Sequence, residues 1–301
     1  MVISVVMTTY NGEEYVTTQL DSLLKQTKSA DEILIFDDGS TDSTVETVRK
    51  YIEDYHLDHW KLIVNKINKG WRRNFFEGIC KAKGDIIFPC DQDDIWEVNK
   101  LELMEKVMRE HTNIEVLVSN YRIYDTDKII PCRNDGRIMQ IKLNGNIFFV
   151  PYPGCTFCIR KSFVDDIKKY WNDSFPHDAF FWRFALLRKT LFSLNINLID
   201  WRIHNDSSFS VEKTLNKNVD KKLKWIEYAE VAIASLQDYL NENDINDDNL
   251  YNVLDRNKEW LDLRKRLFTY KDVKTWFRMF RYLKYYPKRR QYIYDFYYMI
   301  K

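Results

Sequence analysis

The feature that most constrains this chain is an alternation in its first third. Continuous β-branched runs such as "VISVVMTT" and "EILIFDD" are separated by segments in which Tyr15, Val16, Leu20, Leu23 and Leu24 recur at helical spacing. Unbroken apolar runs belong to strands covered on both faces, and strand–helix–strand order calls for a parallel sheet. The alternation continues through "TVETVRKYIEDY", "KLIVN", "WRRNFFEGICKAKG" and "DIIFPCD". A doubly wound α/β unit is therefore expected over residues 1–95. Ligands of such units gather beyond the C-terminal ends of the strands. The polar residues fall there too: Thr9, Tyr10 and Asn11 after the first strand, Asp37 and Asp38 after the second, and Asp91, Gln92, Asp93 and Asp94 after the fourth.

Beyond residue 95 the pattern is mixed. A helix over 98–111 leads to the strand-like "EVLVSNYRIYD", a loop rich in Asn, Asp and Gly, and the short "TFCIR". A helix over 161–171, a second opening at "PHDAFFWRFALL", and a strand-like region over 197–204 follow. After Ser210 only long helices are expected, the last being "VKTWFRMFRYLKYY". The boundary is placed at 212, dividing 1–212 (as 1–95 and 96–212) from a helical 213–301. With 45% hydrophobic and 30% charged residues the chain is of globular composition, and a net charge of +1 gives no global case for nucleic acid. Five scattered cysteines argue against a disulfide framework and fit a reducing, cytoplasmic compartment. "CTFC" reads as two small buried thiols. The N-terminal run is too short for a signal peptide's core, and no segment is long and apolar enough for a bilayer, so a soluble or membrane-surface protein is expected.

"DDGSTD" precedes a helix, and an N-cap accounts for part of it. Capping needs one such residue, whereas two carboxylates ending a buried strand need hydrogen-bond donors, for instance from a base or ribose. In "DQDD", Asp91 and Asp93 can converge on a hard divalent cation, Mn2+ or Mg2+, with Asp94 capping the next helix; the alternative is an exposed acidic turn.

In this order, "VVMTTYNGEEYV", "FDDGSTDST", "NKG" at residues 68–70 and "DQDD" resemble the nucleotide-sugar-binding half of a family 2 glycosyltransferase. The resemblance covers residues 1–210 and implies the GT-A fold, a mixed α/β sheet flanked by helices. It implies that Thr9, Tyr10, Asn11, Glu14, Asn68, Gly70 and Gln92 surround a nucleoside diphosphate sugar, with Asp37 or Asp38 reading the pyrimidine edge. Asp91 would contact ribose or metal-bound water, and Asp93 would ligate the metal. Arg73, with Lys69 and Arg72, would meet the diphosphate, or else form a solvated helix start. In "SFPHDAFFW" the resemblance makes Asp178 the general base for the acceptor hydroxyl, beside His177; the plainer reading is a helix cap. "YPGCTF" would bring Gly154 and Cys155, with Trp96, to the acceptor and sugar pocket. "WRIHNDSSFS" is similar to a "YRxHxxNxS" ending in which the histidine reaches metal or diphosphate, giving that role to His204 with Arg202 close by. Trp201 stands where the pattern has Tyr, and Ser replaces its Asn. The combination looks most like the bacterial rhamnosyltransferases. It implies dTDP-rhamnose as donor, with a UDP-hexose as alternative, and a growing polysaccharide or lipid-linked glycan as acceptor. A non-catalytic nucleotide-binding scaffold would keep the aspartates at 37 and 38 without needing Asp178.

From Arg256 to Lys301 the chain carries 14 Lys or Arg against 4 Asp or Glu, interleaved with aromatics. Such a tail suits the surface of an anionic bilayer, or a helical packing or homodimerisation element with a basic solvated face. No nucleic-acid motif accompanies the charge.

Overall fold

The computed structural model describes residues 1–124, 129–130, 134–202, 219–286 and 288–300. The expected boundary at 212 lies outside the described residues. The chain divides into two compact units. One comprises Met1–Ile141, Pro151–Lys169 and Pro176–Arg202; the other comprises Lys142–Val150, Tyr170–Phe175 and Ile203–Lys301.

The first unit is built on one mixed sheet. Its strands are β1 (Ile3–Thr9), β2 (Glu32–Asp37), β3 (Trp60–Val64), β4 (Ile86–Cys90), β5 (Ile95–Trp96), β6 (Val116–Ile123), β7 (Ile129–Ile130), β8 (Ile138–Gln140), β9 (Phe157–Arg160) and β10 (Leu191–Trp201). The main order is β3-β2-β1-β4-β9-β6-β10-β5. β3, β2, β1 and β4 are parallel, and every residue of β1 and β4 is buried, as their unbroken apolar sequences require. Helices α1 (Val16–Leu24), α2 (Thr44–Asp54) and α3 (Trp71–Lys81) supply the crossovers, followed by α4 (Lys100–Glu110), α5 (Lys161–Ile167) and α6 (His177–Leu187).

β9 enters antiparallel between β4 and β6, pairing Ile86 with Arg160 and Ile87 with Ile159. Pro89 lies beyond those two pairs, where β4 no longer needs a partner on that side and a residue without N–H is tolerated. The chain is thereby released at Asp91. The parallel strands β1, β2 and β4 end together, so the residues that follow them share one end of the sheet.

The second unit is helical: α7 (Val219–Glu242), α8 (Asp248–Tyr270), α9 (Val273–Met279) and α10 (Arg290–Ile300). Its centre holds a buried ion pair. Asp295 accepts Nε and Nη2 of Arg264 at 2.7 and 3.0 Å and the hydroxyl of Tyr286 at 2.9 Å. Rings of Trp225, Trp260, Phe268 and Tyr286 surround the guanidinium. Two parallel bonds and aromatic faces offset the desolvation of this pair. The expected single helix from Val273 onward is corrected here: α-helix stops at Met279, and Phe280–Tyr285 is a 3-10 turn with Tyr282 at φ −106°, ψ 17°. This turn ends with Tyr285 and Tyr286 buried. No helix among the described residues is long and apolar enough to cross a membrane.

Candidate active site

The turn after β1 is held by the turn after β2. Asn11 donates its N–H to Ser40 Oγ and accepts the N–H of Thr41, Gly12 donates to Thr44 Oγ1, and Glu13 accepts the N–H of Ser43. Asp37 is consumed within this lattice. Its Oδ1 accepts the N–H groups of Gly39 and Ser40, and its Oδ2 accepts the hydroxyls of Thr9 and Ser40. Asp38 instead reaches the turn after β3: Oδ1 accepts Asn65 Nδ2 and the N–H of Lys69, and Oδ2 accepts the N–H of Gly70, all at 2.8–2.9 Å. Asn68 also accepts the N–H of Gly70. Arg73, near the start of α3, and Lys69 before it both pair with Glu77 in the middle of that helix. Tyr10 and Glu14 stay exposed.

The acidic turn after β4 is braced on both sides. Gln92 accepts the N–H of Tyr10 at 2.8 Å and donates to its carbonyl at 3.1 Å. A side chain at Gly12 would collide with Gln92, since a Cβ there would lie 2.3 Å from Oε1. On the other side Arg202, just past β10, donates Nε to the Asp93 carbonyl at 2.9 Å and its N–H to Asp94 Oδ1 at 3.1 Å. Its guanidinium lies over the rings of Tyr15 and Tyr124. His204 lies outside the described residues.

Asp94 does not cap the next helix, contrary to the sequence reading. α4 begins at Lys100 with Asn99 in the capping position, while Asp94 is 1% exposed. Asp91, Asp94 and Cys155 bring ligand atoms within 4.8 Å of one another. Among the described residues Asp94 Oδ2 has no partner beyond the Cys155 thiol beside it. Burial, then the charge of Asp93, pushes the Asp94 carboxyl up to about 7. Asp91 is raised well above the usual range by burial and by the charges of Asp94, Asp93 and Asp178. Acids crowded at one buried point need a counter-charge. Lys100 gives part of it: its ammonium lies 3.7 Å from the Trp96 ring centre, donates to the Cys155 carbonyl, and is lowered by burial to about 8. Trp96 is thus a buried wall behind the acids. An under-partnered carboxylate oxygen among oxygen-rich ligands fits a hard divalent cation.

Asp178 lies in the first turn of α6 and accepts the N–H of Ala179 at 2.6 Å. It faces the same acids, since its charge raises Asp91. Gly154 makes the approach possible: a Cβ there would lie 2.6 Å from His177 Nε2 and 3.1 Å from Asp178 Cβ. His177 is boxed by Phe75, stacked at 4.0 Å, and Trp71. Neither of its nitrogens has a hydrogen-bond partner among the described residues, and burial drives the imidazole down to about 3, so the ring is neutral.

Sequence reasoning missed Lys100, although its spacing with Leu101, Met104 and Met108 marks it as lying on the buried stripe of α4. It also missed Glu13 and Thr44, for which adjacency in sequence carries no signal.

The mixed sheet, whose parallel strands end in acidic, braced turns, is of GT-A type, like that of its structural neighbours. Residues 4–191 match the family model described as glycosyl transferase family 2, and the chain belongs to that family. It is 33% identical over 128 residues to the UDP-Glc:alpha-D-GlcNAc-diphosphoundecaprenol beta-1,3-glucosyltransferase WfgD of Escherichia coli, covering 42% of this chain and 49% of that protein. It is 30% identical over 203 residues to the dTDP-rhamnosyl transferase RfbG of Shigella flexneri, covering 60% and 65%. Among solved structures, S. aureus TarS 1-349 in complex with UDP-GlcNAc superposes with a TM-score of 0.67 at 20% identity, over 89% of this chain and 73% of that one. The chain thus spans about half the length of the first of these relatives.

Proposed function

We propose that this protein is an inverting, metal-dependent glycosyltransferase that moves a sugar from a pyrimidine nucleoside diphosphate to a glycan hydroxyl. The observation that carries the reading is the convergence of Asp91, Asp94 and Cys155 with Asp178 around Gly154, at the end of the sheet where Asp37 and Asp38 also emerge. Asp38 is the better candidate of that pair to meet the base, because its Oδ2 accepts one hydrogen bond whereas each oxygen of Asp37 accepts two.

The displacement is a single step. The acceptor oxygen attacks the anomeric carbon from the face opposite the diphosphate, its proton passes to the Asp178 carboxylate, and the anomeric C–O bond breaks with its electrons moving to the diphosphate. Asp93 and Asp91, with Asp94, would hold Mn2+ or Mg2+. Such an ion, when bound, supplies positive charge opposite the departing diphosphate. Gln92 and Arg202 keep the acidic turn in register with the loop after β1, and buried Trp96 and Lys100 back it.

The likeness to a dTDP-rhamnosyl transferase over 60% of the chain supports dTDP-rhamnose as donor, and the likeness to a glucosyltransferase named for a diphosphoundecaprenol-linked sugar supports a lipid-linked glycan as acceptor, with a growing polysaccharide as the other acceptor class. The higher identity to a UDP-glucose-dependent enzyme, over a shorter span, supports a UDP-hexose as the second reading. Thermal shifts with dTDP, UDP and their sugars, with Mn2+, with Mg2+ and with chelator, test the proposal, because a ligand that binds only the folded state raises its stability. Metal-dependent stabilisation by one of the two diphosphates is expected. Failure of both with metal present would overturn it.

A further inference from the structure

The helical unit turns an apolar and basic surface outward that its own packing leaves unused. On α10, Tyr292, Asp295 and Met299 face inward, whereas Ile293, Tyr294, Tyr297 and Ile300 recur along the opposite face and are exposed, Ile293 and Ile300 by more than 60%. α10 is therefore apolar on both faces, which a helix ending in water does not need. On α9 and the turn after it, Phe277 and Phe280 are 65% and 63% exposed. These residues flank one seam. Trp276 stacks on Tyr292 at 4.7 Å and donates its indole N–H to the Tyr292 carbonyl, so Phe277 and Ile293 each follow a member of the joint between the two helices.

The same stretch is strongly basic. Lys271, Lys274, Arg278, Arg281, Lys284, Lys288, Arg289 and Arg290 are all exposed, against one acid, Asp272, over residues 271–290. Asp272 is already engaged as the cap of α9, accepting the N–H groups of Lys274 and Thr275. The other acid nearby, Asp295, is wholly buried against Arg264. Nothing acidic on these two helices answers the outward charge.

We infer that α9, the turn after it and α10 form a docking surface for an anionic lipid bilayer. Apolar side chains set among exposed Lys and Arg match an interface in which aromatics enter the acyl boundary and cations meet phosphates. A second copy of the chain fits less well, because a twofold contact through this face would set eight cations against the same eight. The inference stands apart from sugar transfer: it concerns where the protein sits, and its test needs no donor or acceptor.

The test is co-flotation of the full chain with vesicles of one part phosphatidylglycerol to two parts phosphatidylcholine, and with vesicles of phosphatidylcholine alone. Binding to the anionic vesicles, suppressed by high salt, is expected. Arg278→Gln with Arg281→Gln should lower the partition coefficient about thirtyfold, from about fivefold, or about 1 kcal/mol, per cation. Phe277→Ser with Phe280→Ser should release the protein at low salt, with an unchanged helical spectrum because both rings are exposed. Equal partitioning to the two vesicle types, or no binding at low salt, overturns the inference. A dimer in light scattering that Phe277→Ser and Phe280→Ser dissociate would assign the surface to a second copy and overturn it as well.

Discussion

Gln92 grips the backbone of Tyr10 from both directions, accepting its N–H and donating to its carbonyl across 82 residues of sequence. The acidic turn and the loop after β1 therefore move as one body. Gln92→Ala removes both bonds and should cost about 1–2 kcal/mol of stability. Nucleotide affinity should fall with it. Gln92→Glu keeps the acceptor and loses the donor, so its affinity measured by calorimetry should lie between wild type and Gln92→Ala.

In the proposed mechanism Asp178 takes the acceptor's proton. Asp178→Asn should leave nucleotide binding intact while transfer falls roughly 10²- to 10⁴-fold, the range of a lost general base. Single-turnover assays beside calorimetry separate the two effects. Unchanged turnover would refute the mechanism and favour a nucleotide-binding scaffold.

Gly154 provides the clearance beside the proposed base, Asp178. Gly154→Ala places a methyl 2.6 Å from His177 Nε2 and 3.1 Å from Asp178 Cβ. Overpacking of this kind costs about 1–3 kcal/mol. A displaced base costs more in rate: a shift of about 1 Å can lower turnover about 10²-fold. The variant should therefore lose kcat while its affinity for nucleotide changes little.

His177 sets an acid limit on stability. Burial holds its folded pKa at about 3, below the ordinary 6.5, so the unfolded state binds the proton first. Stability from this group is complete above pH 6.5 and falls as pH drops toward 3. Between pH 7 and 5 the loss is about 2 kcal/mol. His177→Phe, which suits the box of Phe75 and Trp71, should lose that much less over the same interval in denaturant titrations.

Much of this arrangement could be read before any coordinates. β1, β2 and β4 announce themselves because strands buried on both faces must be apolar throughout, and the acids that end them are conspicuous for the same reason. The four-residue β9 could be seen as a strand, but nothing in so short a run states that it inserts antiparallel beside β4. Asp94 looked like a cap because it precedes a helix; burial by Cys155 and Arg202, from segments 61 and 108 residues away, decides otherwise. In the tail, aromatics lie on every side of α9 and α10, so periodicity could not separate Trp276 and Tyr292, which pack, from Phe277 and Ile293, which do not.

The insertion of β9 also has a consequence for synthesis. While the chain emerges, β1 to β4 can assemble once residue 90 is made, yet the far edge of β4 stays unpaired until residues 157–160 arrive. An open, fully apolar strand edge invites pairing with other chains, and contacts so distant in sequence form slowly. Cys155, just before β9, comes to lie beside Asp91 and Asp94 in the same event. A nascent chain therefore passes through an interval in which it is prone to aggregation. Pairing of β9 ends that interval.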